Sequence, residues 1–144
     1  MIRALADTNL LVAALTGPAD SPAADFVSAH REGAFELVTS PRLIAELDGV
    51  LRRPAIAASA AGLHAAEFVD HYAASALFVD DVFDPPRATA DRTGDFLVAV
   101  ARAGGAGYIV TEDQTLASSY VRGIRIATAD EFNRALERAG VHAF

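Results

Sequence analysis

Met1-Ile2-Arg3-Ala4-Leu5-Ala6-Asp7-Thr8-Asn9 opens the chain, a mostly apolar run that stops abruptly at a carboxylate. Such a run reads as a buried strand delivering an acid to its carboxyl end. Helical patterning starts at once in Leu10, Leu11, Val12, Ala13, Ala14 and Leu15, leaving no room for a long loop. Asp7 is thereby placed in a strand-to-helix crevice. In an open α/β sheet that crevice is where ligands bind, because side chains and helix amino ends converge beyond the carboxyl ends of the strands.

The alternation continues along the chain. Gly17-Pro18-Ala19-Asp20 breaks the first helix, and Ser21-Pro22 starts another as an N-cap with proline at the first helical position; it runs to about Glu32 and closes at Gly33. Residues 35–39 read as a strand. Ser40-Pro41 repeats the start signal for a helix over 42–51, with Leu43, Ile44, Leu47, Val50 and Leu51 as one apolar stripe. Glu46 falls about 100° from the centre of that stripe, at its border beside Val50. Arg52-Arg53-Pro54 ends the helix.

Residues 55–75 are Ala-rich and helical in character, broken near Ala61-Gly62, with Leu63, Phe68 and Tyr72 as the larger anchors. One or two helices are expected there, packed as an arm across the sheet. A strand over 76–79 leads into a long loop holding Asp80, Asp81, Asp84, Pro85 and Pro86, which continues to about Thr93. Residues 95–103 are apolar on nearly every side and form a buried helix with Asp95 in its first turn. After Gly104-Gly105, residues 108–111 read as a strand, and Glu112-Asp113 again place acids at its end. A short helix near Leu116, a strand over 124–126 and a helix over 130–139, closed by Gly140, complete the chain. Strands alternating with helices predict an α/β fold, a parallel sheet covered on both faces, in one domain spanning 1–144. All strand carboxyl ends then lie on one edge.

The 144 residues, 52% hydrophobic, suffice for one core. No apolar run is long enough to cross a membrane, and no export signal opens the chain, so a cytoplasmic protein with no membrane contact is expected. The absence of cysteine excludes disulfides, thiolate metal sites and a cysteine nucleophile. A net charge of −7 argues against broad adhesion to nucleic acid, although carboxylates holding divalent cations present positive charge locally. All twelve basic residues are Arg, a side chain suited to forked phosphate contacts.

A parallel sheet can bring Asp7, Glu46, Asp95 and Asp113 to one rim. Carboxylates so gathered repel unless cations join them, and all-oxygen sites suit Mg²⁺ or Mn²⁺. Ions held there would activate water against a phosphodiester. Each acid has a plainer reading too: Asp7 and Asp113 as helix caps, Asp95 as a first-turn acid favoured by the helix dipole, Glu46 as a solvated border residue.

The pieces Asp7-Thr8-Asn9, Ser40 to Glu46 with Leu51-Arg52-Arg53-Pro54, Asp95 to Ala101, and Tyr108 to Asp113, in this order and spacing, resemble the PIN domain. The resemblance is to the branch of VapC-like toxin components of type II toxin–antitoxin systems, and it covers nearly the whole chain. It implies a three-layer fold and a metal-dependent endoribonuclease held inactive by a cognate antitoxin, with a homodimer expected. It matches Asp7, Glu46, Asp95 and Asp113 to the catalytic, metal-holding acids, with Thr8, Asn9 and Thr111 as polar support. The chain departs at Gly94, where relatives often carry another acid, and at Thr115, where some do; both changes weaken a second metal site.

Arg52 and Arg53 are the first candidates to line an RNA path, ahead of Arg87 and Arg92. Asp91 is placed to support the four acids from behind. His64 and His71, seven apart, share a helical face without a third ligand in view, which points to a structural or interface role; His30 and His142 belong to no constellation. Two rival readings remain: a housekeeping RNA-processing nuclease, and a non-catalytic interaction module whose acids are caps.

Overall fold

The computed structural model describes residues 1–140. Its elements alternate as the sequence pattern requires: β1 (Arg3–Ala6), α1 (Thr8–Thr16), α2 (Pro22–Arg31), β2 (Glu36–Thr39), α3 (Pro41–Leu51), α4 (Pro54–Ala57), a 3-10 turn (Ala60–His64), α5 (Ala65–Ala74), β3 (Leu77–Phe78), α6 (Arg92–Ala103), β4 (Tyr108–Val110), α7 (Gln114–Ala117), β5 (Arg125–Ala127) and α8 (Ala129–Arg138). The Ser-Pro signals act as read. Ser21 accepts a hydrogen bond from the Ala24 backbone and Ser40 from that of Leu43, with Pro22 and Pro41 at the first helical positions.

The described strands form one sheet in the order β3-β2-β1-β4-β5, parallel throughout. The chain builds outward from β1 through β2 to β3, then returns to lay β4 on the other side of β1. A topological switch point therefore lies between β1 and β4, and loops leaving their carboxyl ends diverge to open a crevice.

Side chains alternate across the sheet and divide the core. Ala4, Ala6, Leu37, Val110 and Ala127 face one layer, with α1, α2, α5 and α8; Leu5, Val38, Ile109 and Ile126 face the other, dominated by α6. In the first layer Phe26, Phe35 and Phe132 meet at tilted or edge-to-face angles, with centroids 4.9 to 5.5 Å apart. Phe26 and Phe132 are fully buried, each contributing about 1.5–3 kcal/mol by transfer from water. The result is the three-layer α/β architecture.

Two expectations are revised. In the arm over 55–75, where α5 packs on α3, Leu63 on the 3-10 turn is 81% exposed and no anchor, while Phe68, Val69 and Tyr72 do the packing. The helix expected from Asp95 starts three residues earlier, at Arg92, because Asp91 caps it by accepting from the Gly94 backbone. His30 is buried, its Nε2 3.4 Å from the Ser75 carbonyl oxygen, and burial pushes its pKa down. His142 lies outside the described residues. Among those described, no helix is long and apolar enough to cross a membrane.

Candidate active site at the sheet switch point

Asp7 leaves β1 with its backbone N–H donating to the Val110 carbonyl at 2.9 Å, so the strand pairing runs up to the acid itself. Its Oδ1 accepts from the Thr8 backbone at 2.8 Å and caps α1; its Oδ2 accepts from the Thr111 hydroxyl at 2.9 Å. The same Thr111 oxygen accepts from the Asp113 backbone at 3.0 Å. Asp113 caps α7 with Oδ1, which accepts from Thr115 and Leu116, and its Oδ2 has no donor among the described residues. Asn9 Oδ1 accepts from the Glu112 backbone at 3.3 Å. Thr111, fully buried, and Asn9 thus stitch the loop after β1 to the loop after β4.

The plainer reading of these two acids as helix caps is what the hydrogen bonds show. Capping occupies one oxygen of Asp113 and leaves the other for chemistry.

The stitched loops form one wall of an open cleft of about 500 Å³. Asp7 and Asp113 line it with Thr8 and Asn9, and α3 contributes Glu46. Val12, Val50 and Leu116 supply apolar wall, and Arg53, at the junction of α3 and α4, is the one Arg among the lining residues. Burial pushes the Asp7 carboxyl above the usual carboxylate range. The hydrogen bonds from Thr111 and Thr8 pull it back, and the charges of Glu46 and Asp113 push it up further. Desolvation and two like charges thus make Asp7 an electrostatically unfavourable place for a charged carboxylate.

Asp95 does not join them. It is fully buried away from the cleft lining, its Oδ1 accepting from the Ala88 and Thr89 backbones at 2.8 and 2.7 Å, with the Thr89 hydroxyl at 3.1 Å. Its Oδ2 lies 3.4 Å from both Arg87 Nε and Arg92 Nη1. Starting α6 at Arg92 turns Asp95 inward, beneath the loop that precedes the helix. The residue that lines the cleft from α6 is its cap, Asp91, with Thr93 and Gly94 beside it. The signal for this was Asp91 itself, a favoured N-cap residue type, masked because Gly94 in the first turn is a poor helix former.

Arg52 pairs with Asp48 at 2.8 Å on the exposed side of α3 and does not line the cleft. In the acidic loop, Asp81 caps the α3 amino end by accepting from the Arg42 backbone, and Asp84 pairs with Arg92. His64 and His71 share a groove with Arg31 and Glu67. Among the described residues no group of three His, Cys, Asp or Glu side chains converges as a preformed metal cage.

A parallel α/β sheet with a carboxylate-lined cleft at its switch point defines a class of proteins that work on ligands at the strand carboxyl ends. The sequence profile of the PIN domain matches residues 3–115, and the chain belongs to the PIN domain family. The crystal structure of PAE2754 from Pyrobaculum aerophilum is similar over 95% of this chain and 90% of that one, with a TM-score of 0.62 and 18% identity. VapBC2 from Rickettsia felis, solved bound to a DNA fragment from its promoter, is similar over 87% of this chain and 97% of that one, with a TM-score of 0.54 and 12% identity. No curated protein sequence matches significantly. PIN domains are generally nucleases, which supports a hydrolytic role at that level.

Proposed function

We propose that the chain is a Mg²⁺- or Mn²⁺-dependent endoribonuclease, the toxin of a toxin–antitoxin pair. One observation carries the reading: Asp7, Glu46 and Asp113, from three separate elements, line one cleft at the β1–β4 switch point. The likeness to a toxin–antitoxin complex from Rickettsia felis supports the partner, a cognate antitoxin, and a homodimer accompanies the proposal.

The residues fit a hard divalent cation by donor chemistry. All are oxygens, the Asp113 Oδ2 is uncommitted, and Asp7 carries an electrostatic burden that a cation relieves. Mg²⁺ keeps several waters and is held by one or two carboxylates together with substrate phosphate. When bound, the ion supplies Lewis-acid charge and lowers the pKa of water. Asp7 and Asp113 would hold it, fixed in place by Thr111. Glu46, which lines the same cleft from α3, would orient the attacking water and accept its proton. Arg53 would meet the phosphate entering the cleft.

The test is cleavage of a mixed structured and single-stranded RNA pool with Mn²⁺, with Mg²⁺ and with chelator, beside Asp7→Asn. Cutting that needs the metal and falls by at least roughly a hundredfold in the variant supports the proposal. Equal cutting by both proteins, or cutting undiminished by chelator, overturns it. A non-catalytic interaction module is the second reading, favoured by Gly94 standing in the cleft without a side chain. An RNA-processing nuclease without an antitoxin differs in lacking an adjacent antitoxin gene.

A further inference from the structure

Gly94 and Asp95 are successive residues of the first turn of α6, and neither puts a carboxylate into the cleft. Gly94 lines it but has no side chain, and it has no room for one: a Cβ there would overlap the Thr89 hydroxyl oxygen. Thr89 is not free to withdraw, since its backbone and hydroxyl both hold Asp95 Oδ1 and its hydroxyl lies 2.8 Å from the Asp91 carbonyl oxygen. Asp95 in turn has both oxygens engaged, one by backbone N–H groups and the other by two guanidinium groups.

On the same wall, one turn earlier, stands Asp91. Its Oδ1 accepts from the Gly94 backbone at 2.9 Å, and its Oδ2 has no donor among the described residues. This is the arrangement of Asp113, which caps its helix with one oxygen and lines the same cleft.

We propose that Asp91 is the metal-facing carboxylate contributed by α6, and that Asp95 is a positioning residue which holds Asp91 in place by fastening the 88–91 turn beneath it. The proposal rests on the metal-dependent reading above and specifies how this chain completes its site without an acid at position 94. The work of one carboxylate is divided between two: Asp91 meets the ion, and Asp95 locks Thr89, whose hydroxyl in turn meets the backbone of Asp91.

The experiment measures Mn²⁺ binding to the full chain by electron paramagnetic resonance of the free ion, with thermal melting in parallel, and needs no RNA. Asp91→Asn keeps a capping oxygen, so its Tm stays at the wild-type value while Mn²⁺ affinity falls at least roughly tenfold. Asp95→Asn retains an acceptor for the Ala88 and Thr89 backbones but loses its charge to Arg87 and Arg92. Its Tm falls while Mn²⁺ affinity stays within about twofold of wild type. Asp95→Ala, which has no acceptor, loses Mn²⁺ affinity as well, so rescue by Asn is the mark of positioning.

If Asp91→Asn binds Mn²⁺ as wild type does, or if Asp95→Asn loses the ion while Asp91→Asn keeps it, the assignment is overturned and the metal-dependent reading survives. If wild type itself binds no Mn²⁺, both fall together.

Discussion

Asp7 and Asp95 are both carboxylates at the start of a helix, both hydrogen-bonded to backbone N–H, and their surroundings push them in opposite directions. At Asp95 the hydrogen bond from Ala88 does most to hold the carboxyl below the usual range; Thr89 and Arg87 add to it against the opposing effect of desolvation. At Asp7 desolvation dominates, and Glu46 and Asp113 add repulsion that Thr111 and Thr8 offset only in part. The protein has matched one acid to its setting and mismatched the other. The mismatch in the cleft makes Asp7 the candidate for chemistry, whereas Asp95 is satisfied where it lies.

The largest expected effect breaks that comparison at Asp7. Asp7→Asn loses metal-dependent cleavage by at least roughly a hundredfold, yet raises Tm at neutral pH, since it removes a desolvated charge beside two others. The sign follows from linkage. A carboxyl whose folded pKa lies above its unfolded value stabilises the fold below the ordinary carboxylate range, and that contribution is lost as pH rises through the raised value. The gain in Tm over wild type therefore shrinks toward zero below about pH 4. A variant less stable than wild type at neutral pH would show that the Thr8 and Thr111 hydrogen bonds outweigh the repulsion.

Asp95→Asn inverts every term. Its folded pKa lies below the unfolded one, so its contribution is complete above the ordinary carboxylate range and drains away as pH falls through the lowered value. Asp95→Asn lowers Tm at neutral pH, and the gap to wild type narrows in acid. Melting curves over about pH 3 to 8 measure both variants, and two gaps of the same sign would end the contrast.

Next in size is Thr111→Val, which removes the hydroxyl that links the Asp7 carboxylate to the Asp113 backbone. With two acids misplaced but present, cleavage falls by roughly tenfold, as for other partners that orient metal ligands, and Mn²⁺ affinity falls alongside it. Activity lost with Mn²⁺ affinity unchanged would place Thr111 outside the metal-holding network.

What could be read from the sequence follows from how local each signal is. β1 with Asp7 and β4 with Asp113 were legible because an apolar run ending in an acid is a contiguous pattern, and the parallel sheet followed from strict alternation. The Ser-Pro starts of α2 and α3 were legible for the same reason. Asp95 was legible as a first-turn acid of a buried helix, but its direction depends on where that helix begins. Gly94 obscured the beginning, and the contacts of Asp95 with Ala88, Thr89 and Arg87 come from a loop with no periodicity to read. Leu63 misled because hydrophobicity does not reveal that a residue sits on a 3-10 turn facing water. The division of labour between Arg52 and Arg53 depends on one helical step, finer than pattern reading resolves.

That step gives the smallest prediction. The two arginines are adjacent in sequence and both exposed, but Arg52 turns back to Asp48 on its own helix while Arg53 turns to the cleft. Arg52→Ala removes an exposed i,i+4 pair worth about 0.3–0.5 kcal/mol and leaves cleavage unchanged. Arg53→Ala raises KM for RNA roughly fivefold with kcat nearly constant, since a residue that meets phosphate alike in ground and transition states contributes uniform binding. The salt dependence is the sharper readout, because each phosphate contact adds about one to the slope of log affinity against log salt. Arg53→Ala loses that increment and Arg52→Ala keeps it. Equal slopes in the two variants would mean that RNA reaches the acids without passing Arg53, along the side of the cleft formed by α6 and Thr93.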